Sequence, residues 1–360
     1  MTRLFRVLQK LITANGPLTV AQYMRLALQH PTYGYYRQGE RLGAEGDFIT
    51  APEMSQMFGE MVGLWFADLW RLLGRPPKIA FLELGPGRGK LLEDVLRATA
   101  KVEGFHKALS LYLLESNESF RVRLHRQFSA WHPVFPDSLD DLPSCPLFVL
   151  ANEFFDALPA RQFVRTDEGW CERLVTTGPE DTLVWTQSPP NPAFSALIPA
   201  PLREAPPSTI AEVSTERSLI LRTLAERVAR RSGGGLVMDY GATAPTGRDT
   251  LHALSQHQLV DFLERPGDVD VSADVDFSLL TEEITRAGLR VLGPKGQGAF
   301  LDDLGIGLRA AHLKRNATPE EATAVDGALR FLTSPDETGV RFKAMGFVPA
   351  SLTDEIAGFA

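Results

Sequence analysis

The chain has 360 residues, with 37 Lys and Arg against 45 Asp and Glu, which gives a net charge of −8. This acidic balance argues against a protein that mainly binds nucleic acid or an anionic membrane, because such surfaces are usually basic. Two cysteines cannot form a disulfide framework, and no stretch approaches 18 uncharged apolar residues, so we expect a reducing compartment and no membrane span. At about 150 residues per domain, this length predicts two domains or one large domain with insertions, and the 44% of apolar residues is typical of a globular protein.

The N-terminal segment predicts two helices. Leu4, Leu8 and Ile12 recur at helical spacing, and Gly16, which a proline follows, is a helix stop. This pattern favours a folded amphipathic helix over a targeting segment, since no small-residue cleavage site follows it. Residues 19–22 then form a capping box, which predicts the start of a second helix.

An aromatic and glycine-rich loop lies between Pro31 and Asp47. Tyr33, Tyr35 and Tyr36 could frame a substrate pocket, because tyrosine combines an apolar body with a polar tip. The alternative is an ordinary surface loop whose tyrosines are partly buried.

A second capping box is predicted at Thr50 and Glu53, with Pro52 in the first turn. The apolar residues that follow predict a long helix that ends near Gly74. Its methionine and aromatic stripe is typical of core packing.

The most informative segment is a strand followed by a glycine turn and a helix. Ile79–Leu84 is a short apolar run that predicts a buried parallel strand, and Gly85, Gly87 and Gly89 follow it. This arrangement lets the backbone approach a ligand at the start of a helix, although a tight turn without a ligand can have the same glycines. The spacing differs from the dinucleotide fingerprint G-x-G-x-x-G, and Glu83 precedes the first glycine by two residues. E-x-G-x-G-x-G resembles motif I of the class I methyltransferases that use S-adenosylmethionine.

Two further strand ends supply polar side chains. Ser110–Glu115 predicts a strand that ends in an acid, and Glu115 is placed to bind a ribose diol. A short strand is predicted near Val134–Phe135. Asp137 and Ser138 follow it, either as contacts to adenine or as solvated residues of a turn.

Leu147–Ala151 predicts another buried strand, and Asn152, Glu153 and Asp156 follow its carboxyl end. Ligands of open α/β sheets bind at that edge, so we expect these side chains to face the methyl acceptor. A pair of carboxylates suits a guanidinium, which is planar and stays protonated. The alternative is that Glu153 caps a helix and Asp156 faces water.

The remaining sequence predicts an insertion in one sheet. Short antiparallel strands over 162–186 and a proline-rich loop precede the strand Leu236–Asp239. We therefore interpret about 160–215 as an insertion between strands 4 and 5. The chain divides into an N-terminal helical cap with a substrate-side loop at 1–75 and a Rossmann-like domain at 76–360.

No metal site is predicted. His252 and His257 are five residues apart, which is a poor spacing for two ligands on one helix face. The aspartates between 268 and 276 lack the glycine and the terminal glutamate of an EF-hand. We interpret both groups as structural or substrate-shaping.

Four stretches together resemble one family over nearly the whole chain. They are GPLTVAQYM with HPTYGYY and GDFITAPEMSQMFGE, then FLELGPGRGKLLEDVLR, then ANEFFDALPARQF, and finally MDYG, RDTLHAL, VDFSLL and QGAFLDDLGIGLR. These stretches are similar to the MidA-type methyltransferases, whose mitochondrial member is an assembly factor of respiratory complex I. The block from Gly46 to Glu60 is more specific than the glycine motif. Lys90 departs from the family, in which a threonine usually follows the glycine loop.

The resemblance implies an α/β fold, with a Rossmann-like class I methyltransferase sheet and an N-terminal helical segment. It implies S-adenosyl-L-methionine as the cofactor, held by Glu83, Gly85, Gly87, Gly89, Glu115, Asp137 and Ser138. It places the acceptor against Asn152, Glu153 and Asp156, with Tyr33, Tyr35 and Asp47 on the substrate side.

The resemblance also implies a reaction, because the mitochondrial member symmetrically dimethylates an arginine of a complex I subunit. The leading prediction is arginine methylation in a protein substrate, such as a subunit of respiratory complex I. The alternatives are a small-molecule O- or N-methyltransferase and a non-catalytic assembly factor that keeps the fold. Nucleic acid is not an expected partner, and a homodimer is left open. We expect a bacterial cytoplasmic protein, or a protein of the mitochondrial matrix if the first helix is a targeting segment.

Overall fold

A computed structural model describes residues 2–37, 50–255 and 258–359. Its α-helices in chain order are α1 (Arg3–Asn15), α2 (Val20–Gln29), α3 (Ala51–Met54), α4 (Gln56–Leu72), α5 (Lys90–Thr99), α6 (Phe105–Ala108), α7 (Glu118–Gln127), α8 (Thr215–Arg231), α9 (Phe277–Arg286), α10 (Gln297–Asp303), α11 (Ile306–Lys314), α12 (Pro319–Thr333) and α13 (Thr338–Arg341). Its strands are β1 (Leu18–Thr19), β2 (Ile79–Leu84), β3 (Leu109–Leu114), β4 (Leu147–Asn152), β5 (Arg161–Thr166), β6 (Gly169–Thr177), β7 (Leu183–Gln187), β8 (Ile210–Val213), β9 (Gly233–Ala242), β10 (His252–Ser255), β11 (Gln258–Val260), β12 (Asp270–Ser272), β13 (Val275–Asp276), β14 (Leu289–Gly296) and β15 (Phe342–Pro349). Short 3-10 turns lie at Tyr35–Arg37, Ser129–Trp131, Leu139–Asp141, Pro179–Asp181, Pro192–Ala196 and Ala200–Leu202.

Contacts between residues divide the chain into two compact units. The first unit contains residues 1–48, 155–219 and 242–278, and the second contains residues 49–154, 220–241 and 279–360. The chain between β4 and β9 forms β5 to β8 of the first unit, so the predicted insertion into the sheet is confirmed. Its bounds at about 160–215 and the division at residue 75 stay predictions. α4 precedes residue 75 and lies in the second unit.

The sheet of the second unit has the strand order β14-β15-β9-β4-β2-β3. β3, β2, β4 and β9 run parallel, and β15 is antiparallel between β9 and β14. Every residue of β2 is buried, as its unbroken apolar run predicts for a central parallel strand. The predicted α/β class with a mainly parallel sheet is confirmed.

α4 covers this sheet through aromatic packing. Phe66 meets Phe81 of β2 edge-on, with ring centroids 4.9 Å apart, and stacks on Phe148 of β4 at 5.8 Å. All three side chains are buried. The residues of the predicted stripe that lie in α4 are also buried, namely Met57, Phe58, Met61, Trp65 and Leu69, so this part of the stripe is core packing. Met54, at the end of α3, is half-buried.

The predicted strand at Val134–Phe135 is wrong, because only a single bridge from Val134 to Tyr112 of β3 forms there. Pro133 and Pro136 flank this pair, and a proline has no N–H to donate to a strand neighbour. This bridge consists of two backbone hydrogen bonds of 2.9 Å. The Val134 N–H donates to the Leu111 carbonyl, and the Val134 carbonyl accepts from the Leu113 N–H.

β9 begins earlier than predicted, because the glycines before Leu236 belong to the strand. A Cβ at Gly235 would lie 2.2 Å from the ring of Phe347 in β15. Glycine is therefore required where β9 passes this ring.

The second predicted capping box is also wrong. The Thr50 side chain makes no cap hydrogen bond, and α3 ends after one turn at Met54. Ser55 is extended, and its hydroxyl accepts from the Met57 N–H at 3.2 Å, so it starts α4. A second cap residue thus divides what the pattern predicts as one helix.

The first unit is built from helices and antiparallel sheets. Its strands follow the order β1-β6-β5-β8, with β7 beside β6, and a separate sheet has the order β11-β10-β12. The predicted helix α1 is confirmed, with Leu4, Leu8 and Ile12 buried and Gly16 at its end. The capping box at 19–22 is confirmed as the start of α2.

A buried carboxylate and two partly exposed arginines form ion pairs that join three helices of the second unit. Glu60 of α4 is 4% exposed and accepts from Arg97 of α5 at 2.6 Å and from Arg309 of α11 at 2.6 and 2.9 Å. Burial acts to raise the pKa of Glu60, but the hydrogen bonds from Arg309 and Arg97 outweigh it and hold the pKa below its ordinary value. Since α5 follows the glycine loop directly, these ion pairs fix the helix on which the loop depends.

We expect Arg309→Met to lower the free energy of unfolding by about 1.5–3 kcal/mol, the scale of a lost hydrogen bond to a charged group. Urea unfolding followed by circular dichroism measures this loss. Arg315→Met is the matched control, because Arg315 is exposed at the end of the same helix. Equal unfolding free energies for the two variants would contradict the role of the ion pair.

Candidate cofactor and acceptor site

Three left-handed glycines shape the loop after β2. Gly85, Gly87 and Gly89 have φ angles of 64°, 53° and 77°, a region that residues with side chains rarely adopt. A Cβ at Gly85 would lie 3.1 Å from the Phe154 ring, and one at Gly89 would lie 2.6 Å from Leu124. The loop requires glycine for its backbone angles and for its packing, and the predicted strand, glycine turn and helix are confirmed.

Glu115 follows β3 and is tied to this loop through the backbone. Its Oε2 accepts from the Gly87 N–H at 3.1 Å, and its Oε1 accepts from the Asn117 N–H at 2.7 Å. Asn117 in turn caps α7 by accepting from the Ser119 N–H at 2.8 Å. Because β2 and β3 are parallel neighbours, the glycine loop and Glu115 meet at the carboxyl edge of the sheet.

Glu83 is a buried acid near the end of β2. Glu83 is 3% exposed, and its Oε2 has no hydrogen-bond partner among the residues that the structure describes. Burial, together with the charge of Glu115, raises the pKa of Glu83 to about 8. A cationic ligand at this strand end would offset both effects.

β4 ends at Asn152, and Glu153 follows on strained backbone. Glu153 has a φ of 49°, and its N–H donates to the Met238 carbonyl of β9 at 2.9 Å. The Asn152 Nδ2 donates to Glu153 Oε1 at 3.1 Å, which orients the carboxylate. The residues after Glu153 form turns, so the alternative in which it caps a helix is wrong. Strained residues of this kind are concentrated at functional sites.

Asp137 and Ser138 make local contacts. The Asp137 side chain is 85% exposed and accepts from Arg121 Nη1 at 3.3 Å. The Ser138 hydroxyl accepts from the Asp140 N–H at 3.2 Å, in a capping box that Asp141 completes. Both positions agree with the predicted alternative of a solvated turn. Their contact with adenine stays a prediction.

Lys90, which departs from the family pattern, contacts acids of its own helix. Its Nζ lies 3.2 Å from Asp94 Oδ1 and 3.6 Å from Glu93 Oε2. Asp94 is buried, so this cation compensates a buried carboxylate one turn after the glycine loop.

The predicted substrate-side residues belong to the first unit, except that Asp47 lies outside the described residues. Tyr33 stacks on His30 with ring centroids 5.3 Å apart. Tyr35 is 1% exposed and lies in the hydrophobic core of this unit. Contact of these tyrosines with an acceptor stays a prediction.

The sequence did not predict a pair formed by Tyr36 and Asp270 in the first unit. The Tyr36 hydroxyl donates to Asp270 Oδ1 at 3.2 Å. Burial, and then the charges of Asp270 and Asp156, raise the pKa of Tyr36 well above its ordinary value. Asp156, predicted to face the acceptor, therefore shares a local environment with this pair. The sequence signal for this region is the alternation of Asp and Val at 268–271, which indicates the strand β12 that carries Asp270.

The strand ends of the second unit fit a nucleoside ligand that carries positive charge. Glu83 offers a buried carboxylate oxygen, the glycine loop exposes backbone, and Glu115 is oriented by two N–H groups. S-adenosylmethionine has the matching groups, because its methionyl part carries an ammonium and a sulfonium and its ribose carries a diol.

Comparison with known proteins identifies the class. Residues 61–295 match the sequence model of a family described as "Putative S-adenosyl-L-methionine-dependent methyltransferase". A protein from Burkholderia thailandensis, solved with S-adenosyl-homocysteine bound, is similar over 99% of this chain and 93% of that chain, with a TM-score of 0.84 and 26% identity. The fold and the site define an S-adenosylmethionine-dependent class I methyltransferase.

Relatives along the whole sequence identify the family. The mitochondrial protein arginine methyltransferase NDUFAF7 of Danio rerio is 36% identical over 92% of this chain and 83% of its own. The Homo sapiens protein of the same name is 34% identical over 97% of this chain and 84% of its own. The chain belongs to the MidA-type methyltransferase family that its motifs resemble.

The part of the chain that the structure describes contains neither a cluster of metal ligands nor a membrane-spanning helix. No group of three or more His, Cys, Asp or Glu side chains there could hold a metal ion, and His257 lies outside that part. None of its helices is long and apolar enough to cross a membrane.

Glu83→Gln tests the buried carboxyl. The pKa of Glu83 is about 8 in the folded chain and ordinary in the unfolded chain, so the folded state holds the proton to a higher pH. Stability should therefore fall as the pH rises from about 5 to about 8. In the variant we expect this fall to be smaller by at least about 1 kcal/mol.

Urea unfolding across this pH window measures the difference, with Glu103→Gln, at an exposed position, as the control. Parallel pH profiles for the native chain and Glu83→Gln would contradict a buried, protonated Glu83.

Glu153→Gly and Glu153→Ala test the strained backbone. Glycine adopts a positive φ without strain, so we expect the glycine variant to be more stable than the alanine variant by about 1 kcal/mol. The φ of Glu103 lies outside the left-handed region, so at this position we expect the alanine variant to be more stable than the glycine variant. Thermal unfolding of the four variants measures both differences, and an alanine variant at 153 that matches the glycine variant would argue against strain.

Proposed function

We propose that this chain transfers a methyl group from S-adenosylmethionine to a guanidinium nitrogen of arginine in a protein substrate. The relatives named protein arginine methyltransferase support this proposal over 92% and 97% of the chain. The observation that carries it is Glu153, an oriented carboxylate on strained backbone at the sheet edge where ligands of open α/β folds bind.

The residues of the second unit would hold the cofactor. When bound, S-adenosylmethionine supplies an activated methyl group on its sulfonium. The Glu83 carboxylate would bind the ammonium of the methionyl part, because this carboxyl has a buried oxygen without a partner among the described residues. Gly85 and Gly87 would let the backbone approach the ligand closely. Glu115, fixed by two backbone N–H groups, would accept from the ribose hydroxyls.

The acceptor side needs groups that orient a guanidinium. A carboxylate binds this planar cation through two parallel N–H donors, which fixes the direction of the third nitrogen. Glu153, held by Asn152, would serve in this way, and Asp156 would supply a second carboxylate. One N–H proton must leave as the new N–C bond forms, and a carboxylate can accept it. Orientation and exclusion of water contribute more here than a strong base.

A subunit of respiratory complex I is the protein substrate that we propose to test first, because the MidA-type family includes a complex I assembly factor. We also propose a location in the bacterial cytoplasm. The relatives are named as mitochondrial, but α1 packs Leu4 and Leu8 into the core of the first unit, which supports a helix kept in the folded protein. N-terminal sequencing of the protein from its native cells tests whether α1 is kept, and light scattering tests the homodimer that the sequence leaves open.

We expect Glu153→Gln to lower methyl transfer by at least about 100-fold, because the variant loses the charge that orients the guanidinium. Its affinity for S-adenosyl-homocysteine in calorimetry should change by less than about threefold, since the cofactor contacts remain. Glu103→Gln is the matched control at an exposed position. Unchanged transfer by Glu153→Gln would remove Glu153 from the acceptor site.

The acceptor class is tested with tritiated S-adenosylmethionine and a cell extract. Tritium should enter the protein fraction and appear as methylarginine after acid hydrolysis. Label in the small-molecule fraction alone would favour the alternative of a small-molecule methyltransferase. Cofactor binding without any transfer would favour the non-catalytic assembly factor.

A further inference from the structure

Arg217, in the first turns of α8, is a buried cation whose guanidinium donates to backbone carbonyls. The residue is 7% exposed. Its Nε donates to the Phe155 carbonyl at 2.7 Å, and its Nη2 donates to the Asp156 carbonyl at 3.1 Å. The same guanidinium donates to the backbone carbonyl of Asp274 at 2.7 Å through Nη1 and to the backbone carbonyl of Ala273 at 2.9 Å through Nη2. One side chain thus holds two chain segments of the first unit.

These two segments also bond to each other. The Ala273 N–H donates to the Asp156 carbonyl at 3.2 Å. That carbonyl therefore accepts from two donors, one of them on Arg217. The backbone of Asp156 is fixed from both sides, whatever its carboxylate contacts.

The start of α8 holds the same segment at a second point. The Ser214 hydroxyl donates to the Pro159 carbonyl at 2.7 Å and accepts from the Arg217 N–H at 3.3 Å. The stretch 155–159 is thus attached to α8 at both ends. This stretch lies within ANEFFDALPARQF, one of the four blocks that carry the family resemblance.

Arginine suits this position and lysine does not. The guanidinium presents donors in a rigid plane, so that Nε, Nη1 and Nη2 reach carbonyls of both segments at once. A lysine ammonium keeps the charge but donates from a single atom. Buried carbonyls that lose their donors are costly, so the segment should shift to find new partners.

We propose that Arg217 is a positioning residue for methyl transfer, which holds Asp156 in the place where its carboxylate orients the acceptor guanidinium. This inference rests on the proposed function, in which Asp156 supplies the second carboxylate. Arg217 itself would contact neither the acceptor nor the cofactor, because it is buried and four of its five N–H donors are committed to backbone carbonyls.

The test compares Arg217→Lys with Arg222→Lys in the full chain. Arg222 lies on the same helix, but it is 44% exposed and pairs with Glu283 at 2.8 and 2.9 Å. With an arginine peptide as acceptor, we expect Arg217→Lys to lower kcat by about 10- to 100-fold, the effect of a displacement of about 1 Å. The KM for the peptide and the affinity for S-adenosyl-homocysteine should change by less than about threefold, and Arg222→Lys should change kcat by less than about twofold.

A double-mutant cycle with Asp156→Asn tests whether Arg217 acts through Asp156. In the Asp156→Asn background, Arg217→Lys should lower kcat by less than about threefold, because the carboxylate that it positions is already gone. If the loss of kcat in the double variant equals the product of the losses in the two single variants, the proposal is overturned. Such a result would show that Arg217 acts independently of Asp156.

Amide exchange gives a readout that does not need activity. Exchange of the Ala273 N–H should be at least about tenfold faster in Arg217→Lys, because its acceptor carbonyl loses a second anchor. Unchanged exchange would overturn the proposal even if kcat fell. If the native chain transfers no methyl group to arginine, the proposed function fails and the role of Asp156 fails with it. The exchange data would still show whether Arg217 holds the segment.

Discussion

The second unit depends on the left-handed backbone between β2 and α5. Gly85, Gly87 and Gly89 turn the chain from strand to helix within five residues, and this turn brings the Gly87 N–H to the Glu115 carboxylate. With Glu115 fixed in this way, its charge adds to burial in raising the pKa of Glu83. The left-handed backbone therefore sets the shape of the loop and the direction of Glu115, whose charge adds to the larger effect of burial on the pKa of Glu83.

Much of the fold could be predicted from the sequence, because the determinants of many elements lie within the element. The apolar run Ile79–Leu84 is a central strand, and the periodicity before Gly16 is a helix, with bounds close to those predicted. Predictions were wrong where neighbouring residues competed. Ser55 takes the start of α4 from Thr50, and the prolines on both sides of Val134–Phe135 reduce a predicted strand to one bridge.

The candidate site was predictable only in part. Glu83, Glu115 and Glu153 could be found because they lie at strand ends, where open α/β sheets bind ligands. The partners of such residues depend on tertiary contacts between distant positions, which carry no local pattern. Tyr36 and Asp270 are 234 residues apart, and Arg217 lies at a helix position whose sequence gives no indication of burial. Buried polar contacts of this kind follow from the fold, so that the sequence alone could not show them.

The place of β15 in the sheet has a consequence for how the protein is made. β15 lies between β9 and β14, and Glu60 pairs with an arginine 249 residues further along the chain. A ribosome that adds about 5–20 residues per second needs roughly 10–50 s to span the distance from Glu60 to Arg309, and during this time the buried acid lacks one of its cations. The edge of β9 stays open for roughly 5–20 s, until the chain from Ala242 to Phe342 has been made. The nascent chain thus exposes the kind of surface to which chaperones bind, and a truncation before β15 would leave a gap inside the sheet instead of a shorter sheet.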